Sequence, residues 1–213
     1  MPLVAISREI GTGAVEVAGW VAQALGADLV DRRIIDEIAR RLQIPREEAQ
    51  ALDESPPSFL ERLLSALAQG NTGYAEGSSV WMPPYPDDPA FDTRRASLRI
   101  TEDVMKEAVR TGNVVIVGRG AAHLLRDDPR VLRVFLRGSR EARTAAVMKS
   151  LQLDAKAAES RVKESDVNWG AYLRDVYHVD WRDPSNYDLV LDTSRLGGEG
   201  AAQVILSAVR HLR

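Results

Sequence analysis

Cysteine is absent from this 213-residue chain, which excludes disulfides, thiolate nucleophiles and cysteine-based metal sites, and fits a reducing compartment. Histidine is nearly absent. His123, His178 and His211 stand far apart in unrelated contexts, so the ligand spacing of a structural zinc site is missing and no metal-ligating residue is assigned. The same scarcity leaves no Ser-His-Asp arrangement that order alone would support. No apolar run approaches the roughly 18–20 residues that cross a bilayer. The start, Met-Pro-Leu-Val-Ala-Ile-Ser-Arg-Glu, lacks a basic segment followed by a long apolar one, which argues against secretion and for a cytoplasmic protein. Neither sign of charge dominates: 28 Lys and Arg against 31 Asp and Glu give −3, so nothing global calls for nucleic acid or a membrane surface.

What remains is an ordinary soluble composition, 45% hydrophobic and 28% charged. The length suits one α/β domain with a full core, residues 1–213, with room for a lid. The most informative stretch runs from Leu3 to Ala18 and reads as a strand, a glycine turn and a helix. That layout binds phosphate, because backbone N–H groups at the turn and helix start converge on an anion. Ser7, Arg8, Gly11, Thr12, Gly13 and Ala14 are the candidate phosphate-cradling residues. The common form of such a loop, G-x-x-x-x-G-K-[ST], puts a lysine on the phosphates; here Ala14-Val15-Glu16 follows the glycines. A dinucleotide reading, Gly11-x-Gly13 with Asp31 twenty residues on, fails because Arg8-Glu9-Ile10 separates the strand from the first glycine and Glu16 fills the third glycine position.

Ala14, Val17, Ala18, Val21, Ala22 and Leu25 form the stripe of a core-packed helix that Gly26 stops. Asp28–Asp31 reads as a short strand; Ile34, Ile35, Ile38 and Leu42 mark a helix, and Pro45 opens another. Ser58-Phe-Leu-Glu61 is a capping box before a helix to about Gln69, whose apolar Phe59–Leu67 face suits a homo-oligomer interface as well as a core. Gly70–Asp92 reads as a long loop carrying Tyr74, Trp81, Tyr85 and Phe91, and residues 45–92 as an insertion. Next come a helix over Arg94–Arg110, a buried strand Val114–Val117 running into Gly118-Arg119-Gly120, and a strand Val131–Leu136. Ser139 caps a helix through Met148. Two charged helical segments, Asp154–Ser165 and Asn168–His178, a strand Tyr187–Asp192 and a helix Gly200–Leu212 complete the chain.

Strands alternating with helices imply a parallel sheet covered on both faces, with ligands at the carboxyl ends of the strands. Those ends read Ser7-Arg8, Asp31-Arg32, Gly118-Arg119, Arg137-Gly138 and Asp192-Thr193. Arginines clustered there make an anion site by chemistry alone. Asp31 is placed to bind a substrate hydroxyl or base, or equally to pair with Arg32 or Arg33. Arg137, Arg140 and Arg143 repeat at a spacing that also describes a solvated helix face.

Taken in order, Ile6-Ser-Arg-Glu-Ile-Gly-Thr-Gly13, Asp31-Arg32, Gly112–Ala121, Phe135-Leu136 with Ser139, Glu141 and Arg143, then Tyr172, Asp180-Trp181, Asp183-Pro184 and Tyr187–Ser194 resemble the cytidylate kinase-like family. The resemblance implies a P-loop-type nucleoside monophosphate kinase fold with a five-stranded parallel sheet, a helical insertion and a lid over about residues 157–178. It further implies ATP and Mg²⁺ as cosubstrate and cofactor, Ser7–Val15 as the phosphate loop, and a nucleoside monophosphate, CMP or dCMP, as acceptor. Arg119 would face that acceptor together with Asp31 and Arg32. Arg143, Arg161 and Arg174 would neutralise phosphate charge in catalysis, which for phosphoryl transfer is mostly positioning and electrostatics. The chain departs from the family where cations matter, with Ala14-Val15 in place of Gly-Arg and Trp169 in place of the arginine three after the lid aspartate. Two alternatives therefore stand beside the kinase: a regulatory protein that binds a nucleotide or phosphorylated ligand without transfer, and a kinase with a different small acceptor.

Overall fold

The computed structural model describes residues 3–30, 32–49 and 89–212. Asp31, the expected Ser58–Gln69 helix and all of the Gly70–Asp92 loop before residue 89 lie outside the described residues. Five parallel strands form one sheet in the order β2-β3-β1-β4-β5: β1 (Leu3–Arg8), β2 (Asp28–Val30), β3 (Val114–Val117), β4 (Val131–Arg137) and β5 (Leu189–Asp192). The most apolar runs lie inside the sheet, with β1 and β3 buried on both faces, as a covered parallel sheet requires.

Among the described residues the main helices are α1 (Ala14–Leu25), α2 (Arg32–Leu42), α3 (Pro89–Thr111), α4 (Ala121–Leu124), α5 (Arg140–Leu151), α6 (Ala155–Tyr177) and α7 (Thr193–Val209), with residues 46–49 helical after Pro45 as expected. Two cores result. On one face Val4, Ile6, Val115 and Val134 meet Val17, Val21 and Ile205 of α1 and α7; on the other Leu3, Ala5, Ile116 and Phe135 meet Ile34, Ile38 and Met105 of α2 and α3. A small third cluster packs Val147 of α5 against Ala158 and Val162 of α6 and reaches Ile10 beside the glycine turn. This α/β architecture is the expected one. Among the described residues no helix is long and apolar enough to cross a membrane.

Three boundaries differ most from the sequence expectation. Helix α3 begins at Pro89 rather than Arg94, because proline at a first-turn position costs the helix no hydrogen bond. The two charged segments are one helix, α6, since no glycine or proline falls between Ser165 and Asn168 to break it. Helix α7 begins at Thr193 rather than Gly200, where the Asp192 side chain caps the Ser194 N–H, and it is interrupted at Gly197, whose φ of 68° breaks the helical path. The edge strand β5 is pinned as it enters: the Asp188 carboxylate accepts from the Arg133 N–H at 2.8 Å and from its guanidinium at 2.7 Å, while the Asp188 N–H donates to the Arg133 carbonyl at 2.8 Å.

Candidate functional site

The glycine turn leaves β1 and opens α1. Gly11 (φ 82°) and Gly13 (φ 68°) are both left-handed, and a Cβ on Gly11 would stand 2.6 Å from the Arg143 carbonyl oxygen, so only glycine fits there. The Thr12 hydroxyl donates to the Glu9 carbonyl at 2.8 Å and braces the turn from within. Gly13 is the N-cap of α1 and offers no side chain, so the first N–H groups of that helix have no cap from it. Ala14 is buried as the first helical residue, and Val15, where a cation would serve, is half-exposed. Ser7 is buried at the end of β1 with its hydroxyl lacking a hydrogen-bond partner.

A cavity of about 370 Å³ opens against this turn. Gly11, Thr12, Gly13, Glu16 and Trp20 form one wall, Gly138, Ala142, Arg143 and Ala146 a second, and Thr193, Ser194 and Gly198 the third. The Glu16 carboxylate reaches back over the turn, its Oε2 lying 3.7 Å from where a Cβ on Gly13 would stand.

Arg143 lines this cavity, but its guanidinium is engaged behind it. Nε donates to the Ile10 carbonyl at 2.9 Å, Nη1 and Nη2 donate to the two oxygens of Asp166 at 3.1 and 2.5 Å, and Nη1 lies 3.3 Å from Glu9. The side chain is only 4% exposed, so these are desolvated, charge-assisted contacts rather than surface pairs. Glu9 also accepts the Gly138 N–H at 3.1 Å. Arg182 completes a quartet: its Nη2 reaches Glu9 at 3.2 Å and Asp166 at 2.8 Å, and its guanidinium lies 4.9 Å from the centre of the Trp181 ring. The quartet joins the glycine turn, the start of α5, the middle of α6 and the segment before β5.

The other expected arginines are not brought to the cavity wall. Arg161 is half-exposed, 3.9 Å from Glu164 on its own helix, and about 140° round α6 from Asp166. Arg174 is exposed one turn before the end of α6. Arg8 ends β1 and crosses toward Gly118, with its Cζ 3.9 Å from where a Cβ on that glycine would lie. Arg119 sits in the turn after β3, where Gly118, Arg119 and Gly120 all have positive φ. For arginine (φ 53°) that conformation is strained, and such strain tends to collect at working sites. Asp31 lies outside the described residues, and for Arg32 only the backbone, at the start of α2, is described.

Beside Gly120, where an added Cβ would run into the Tyr177 ring, the molecule is aromatic. Trp169 stacks on Tyr172 with centroids 5.1 Å apart, Tyr172 meets Tyr177, and Phe135 stacks on Tyr187 at 5.0 Å. Trp181 is buried against Phe135. His123 belongs to this core. Burial first, then the charges of Arg126 and Arg133, push its pKa down to about 4, so it stays neutral at pH 7. Tyr187 donates to the Trp181 carbonyl at 2.7 Å and lies 3.3 Å from His123 Nε2, while burial raises its own pKa to about 12. Burial, then Tyr172 and Glu102, raise Tyr177 further.

The site thus has a glycine turn at an uncapped helix start with a cavity against it, and, on the other side of β1, an arginine on the strained turn of the neighbouring strand β3. The sequence model of the cytidylate kinase-like family matches residues 3–195. The chain belongs to that family. A cytidylate kinase of Methanopyrus kandleri is 31% identical over 112 residues, a stretch covering 49% of this chain and 58% of that protein. The match thus spans less than two thirds of that relative's length. Among solved structures, an uncharacterized protein from Eubacterium ventriosum aligns over 99% of both chains with a TM-score of 0.68 and 19% identity. A shikimate kinase from Bacteroides thetaiotaomicron aligns over 98% of both, with a TM-score of 0.52 and 11% identity. These two likenesses establish the P-loop kinase fold of the family and nothing finer.

Glu9, Arg182 and Trp20 were not singled out by the sequence. Trp20 carried a signal, since it stands seven residues after Gly13 and so on the same helix face. Arg182 carried none: its partners lie 173 and 16 residues away.

Proposed function

We propose that this protein transfers the γ-phosphoryl group of ATP to a nucleoside monophosphate, CMP or dCMP. The observation that carries the reading is the open N-terminus of α1 behind Gly11–Gly13, facing a cavity at the carboxyl end of the sheet. In this reading the amides of Gly11 to Ala14 hold the donor phosphates, as helix starts do for anions. Arg8, expected from the sequence among the donor-phosphate residues, crosses toward Gly118, so in this reading it and Arg119, from the ends of the neighbouring strands β1 and β3, flank the acceptor phosphate. Helix α6, tied through Asp166 to Arg143, forms the lid side of the site.

Mg²⁺ fits the residues present. Glu16, lying against the glycine turn, would offer it a carboxylate oxygen, and Mg²⁺ ordinarily takes one or two carboxylates together with substrate phosphates. When bound, it would neutralise charge on the phosphate oxygens. Arg143 is not assigned a phosphate in this reading: Glu9 and Asp166 already hold its charge, and its part is to fix the turn and α6 in place.

The test is phosphoryl transfer from MgATP to CMP and dCMP. Arg119→Ala is expected to lower turnover per acceptor bound by about a hundredfold or more. Unchanged transfer would remove Arg119 from the acceptor site. A second reading has one observation in its favour, the apolar Val15 where a cation would serve: a binding protein without transfer. Saturable ATP binding by the parent, with no turnover of any monophosphate, would select it.

A further inference from the structure

Gly13, Glu16 and Trp20 follow one another at i, i+3 and i+7 along α1, so they share a face, and all three line the cavity. At 1.5 Å per residue, Trp20 stands about 10 Å from the helix start. A ribose and the inner phosphates of a nucleotide bridge that distance, which leaves the base beside the indole. The ring is not committed to the core. Ala14, Val17, Ala18, Val21 and Ala22 of the same helix are buried, whereas Trp20 is 44% exposed.

The surroundings make a slot rather than an isolated surface tryptophan. A Cβ on Gly198 would lie 2.9 Å from Trp20 Cζ3, so the absence of a side chain there is what admits the ring. Gly198 directly follows the break at Gly197. Across the cavity, Ala142 and Ala146 of α5 are one turn apart and present only methyl groups, while Thr193 and Ser194 form its edge with hydroxyls held by the Arg137 carbonyl and by Asp192 and the Ser139 N–H. A flat π-face, small apolar residues opposite and a few polar groups at the rim match what a planar heteroaromatic ring needs.

We propose that Trp20 is the base-contacting residue of the donor site, stacking on the ring of ATP and favouring a nucleotide over a bare polyphosphate. This rests on the reading of the cavity as the ATP site. Stacking on an aromatic side chain tolerates different bases, so Trp20 raises affinity for nucleotides as a class.

The experiment titrates the parent, Trp20→Leu and Trp20→Phe with ATP and with tripolyphosphate, following calorimetric heat and intrinsic fluorescence. Leucine keeps apolar bulk against Gly198 without the π-face, and phenylalanine restores a ring. Expected are a fluorescence change on ATP binding that disappears in Trp20→Leu, ATP affinity about tenfold weaker in that variant and largely recovered in Trp20→Phe, and equal tripolyphosphate affinity in all three. Unchanged ATP affinity in Trp20→Leu overturns the assignment of Trp20 and leaves the donor site standing. Parallel loss of tripolyphosphate also overturns it, since the substitution would then act on the glycine turn. A parent that binds neither compound overturns this proposal and the kinase reading together.

Discussion

Helices α1 and α5 leave the same end of the sheet from adjacent strands, β1 and β4, and they begin in opposite ways. Helix α5 is closed at its start: Ser139 accepts the Ala142 N–H at 3.2 Å, and one turn in, Arg143 is buried among Glu9, Asp166 and the Ile10 carbonyl. Helix α1 is left open, with a glycine N-cap and a cavity at its first turn. Helices α6 and α7 follow the pattern of α5, capped by Asp154 and Asp192. A helix start without a cap has unpaired N–H groups, and a chain that caps its other long helices in this region keeps one free for something else. The comparison assigns binding to α1 and support to α5.

Three substitutions would break or sharpen that division. Arg143→Ala removes the cation from a buried quartet and is expected to cost about 3–5 kcal/mol in denaturant unfolding, because Glu9 and Asp166 lose their main partner. A small loss would mean that α5 does not hold the turn. Gly11→Ala places a Cβ against the Arg143 backbone at a left-handed φ, and a cost of about 2–3 kcal/mol is expected together with loss of ATP binding by calorimetry. Normal binding in that variant would separate the turn from the ligand site. Ser139→Ala is expected to cost only about 1 kcal/mol in the same unfolding assay and to leave ATP affinity as it was. A matching fall in affinity would show that the start of α5 binds as well as supports.

The sheet was legible because its signals are local. Val114–Val117 is a continuous β-branched run, Ser139 announces a helix by its own chemistry, and Gly118-Arg119-Gly120 marks the end of a strand. The Gly11–Gly13 turn was legible for the same reason. The missed boundaries at Pro89 and across Ser165–Asn168 are places where composition suggested a break and helical continuation cost nothing. The quartet was not legible. Arg143 looks like a solvated helix arginine until Asp166 is brought 23 residues back and Glu9 is placed under it by the pairing of β1 with β4. Trp20 was hidden differently: it falls outside the core stripe of its helix, and what it faces is known only once its exposure and the Gly198 opposite are seen.

The quartet of Glu9, Arg143, Asp166 and Arg182 also governs what an arriving anion feels. Two guanidinium groups face two carboxylates, so within the quartet the side-chain charges cancel, and the Glu16 carboxylate over the turn is the charge left to be met. Attraction at that turn then comes from peptide dipoles, which are oriented by the fold, carry no proton to lose and need no rearrangement when the ligand lands.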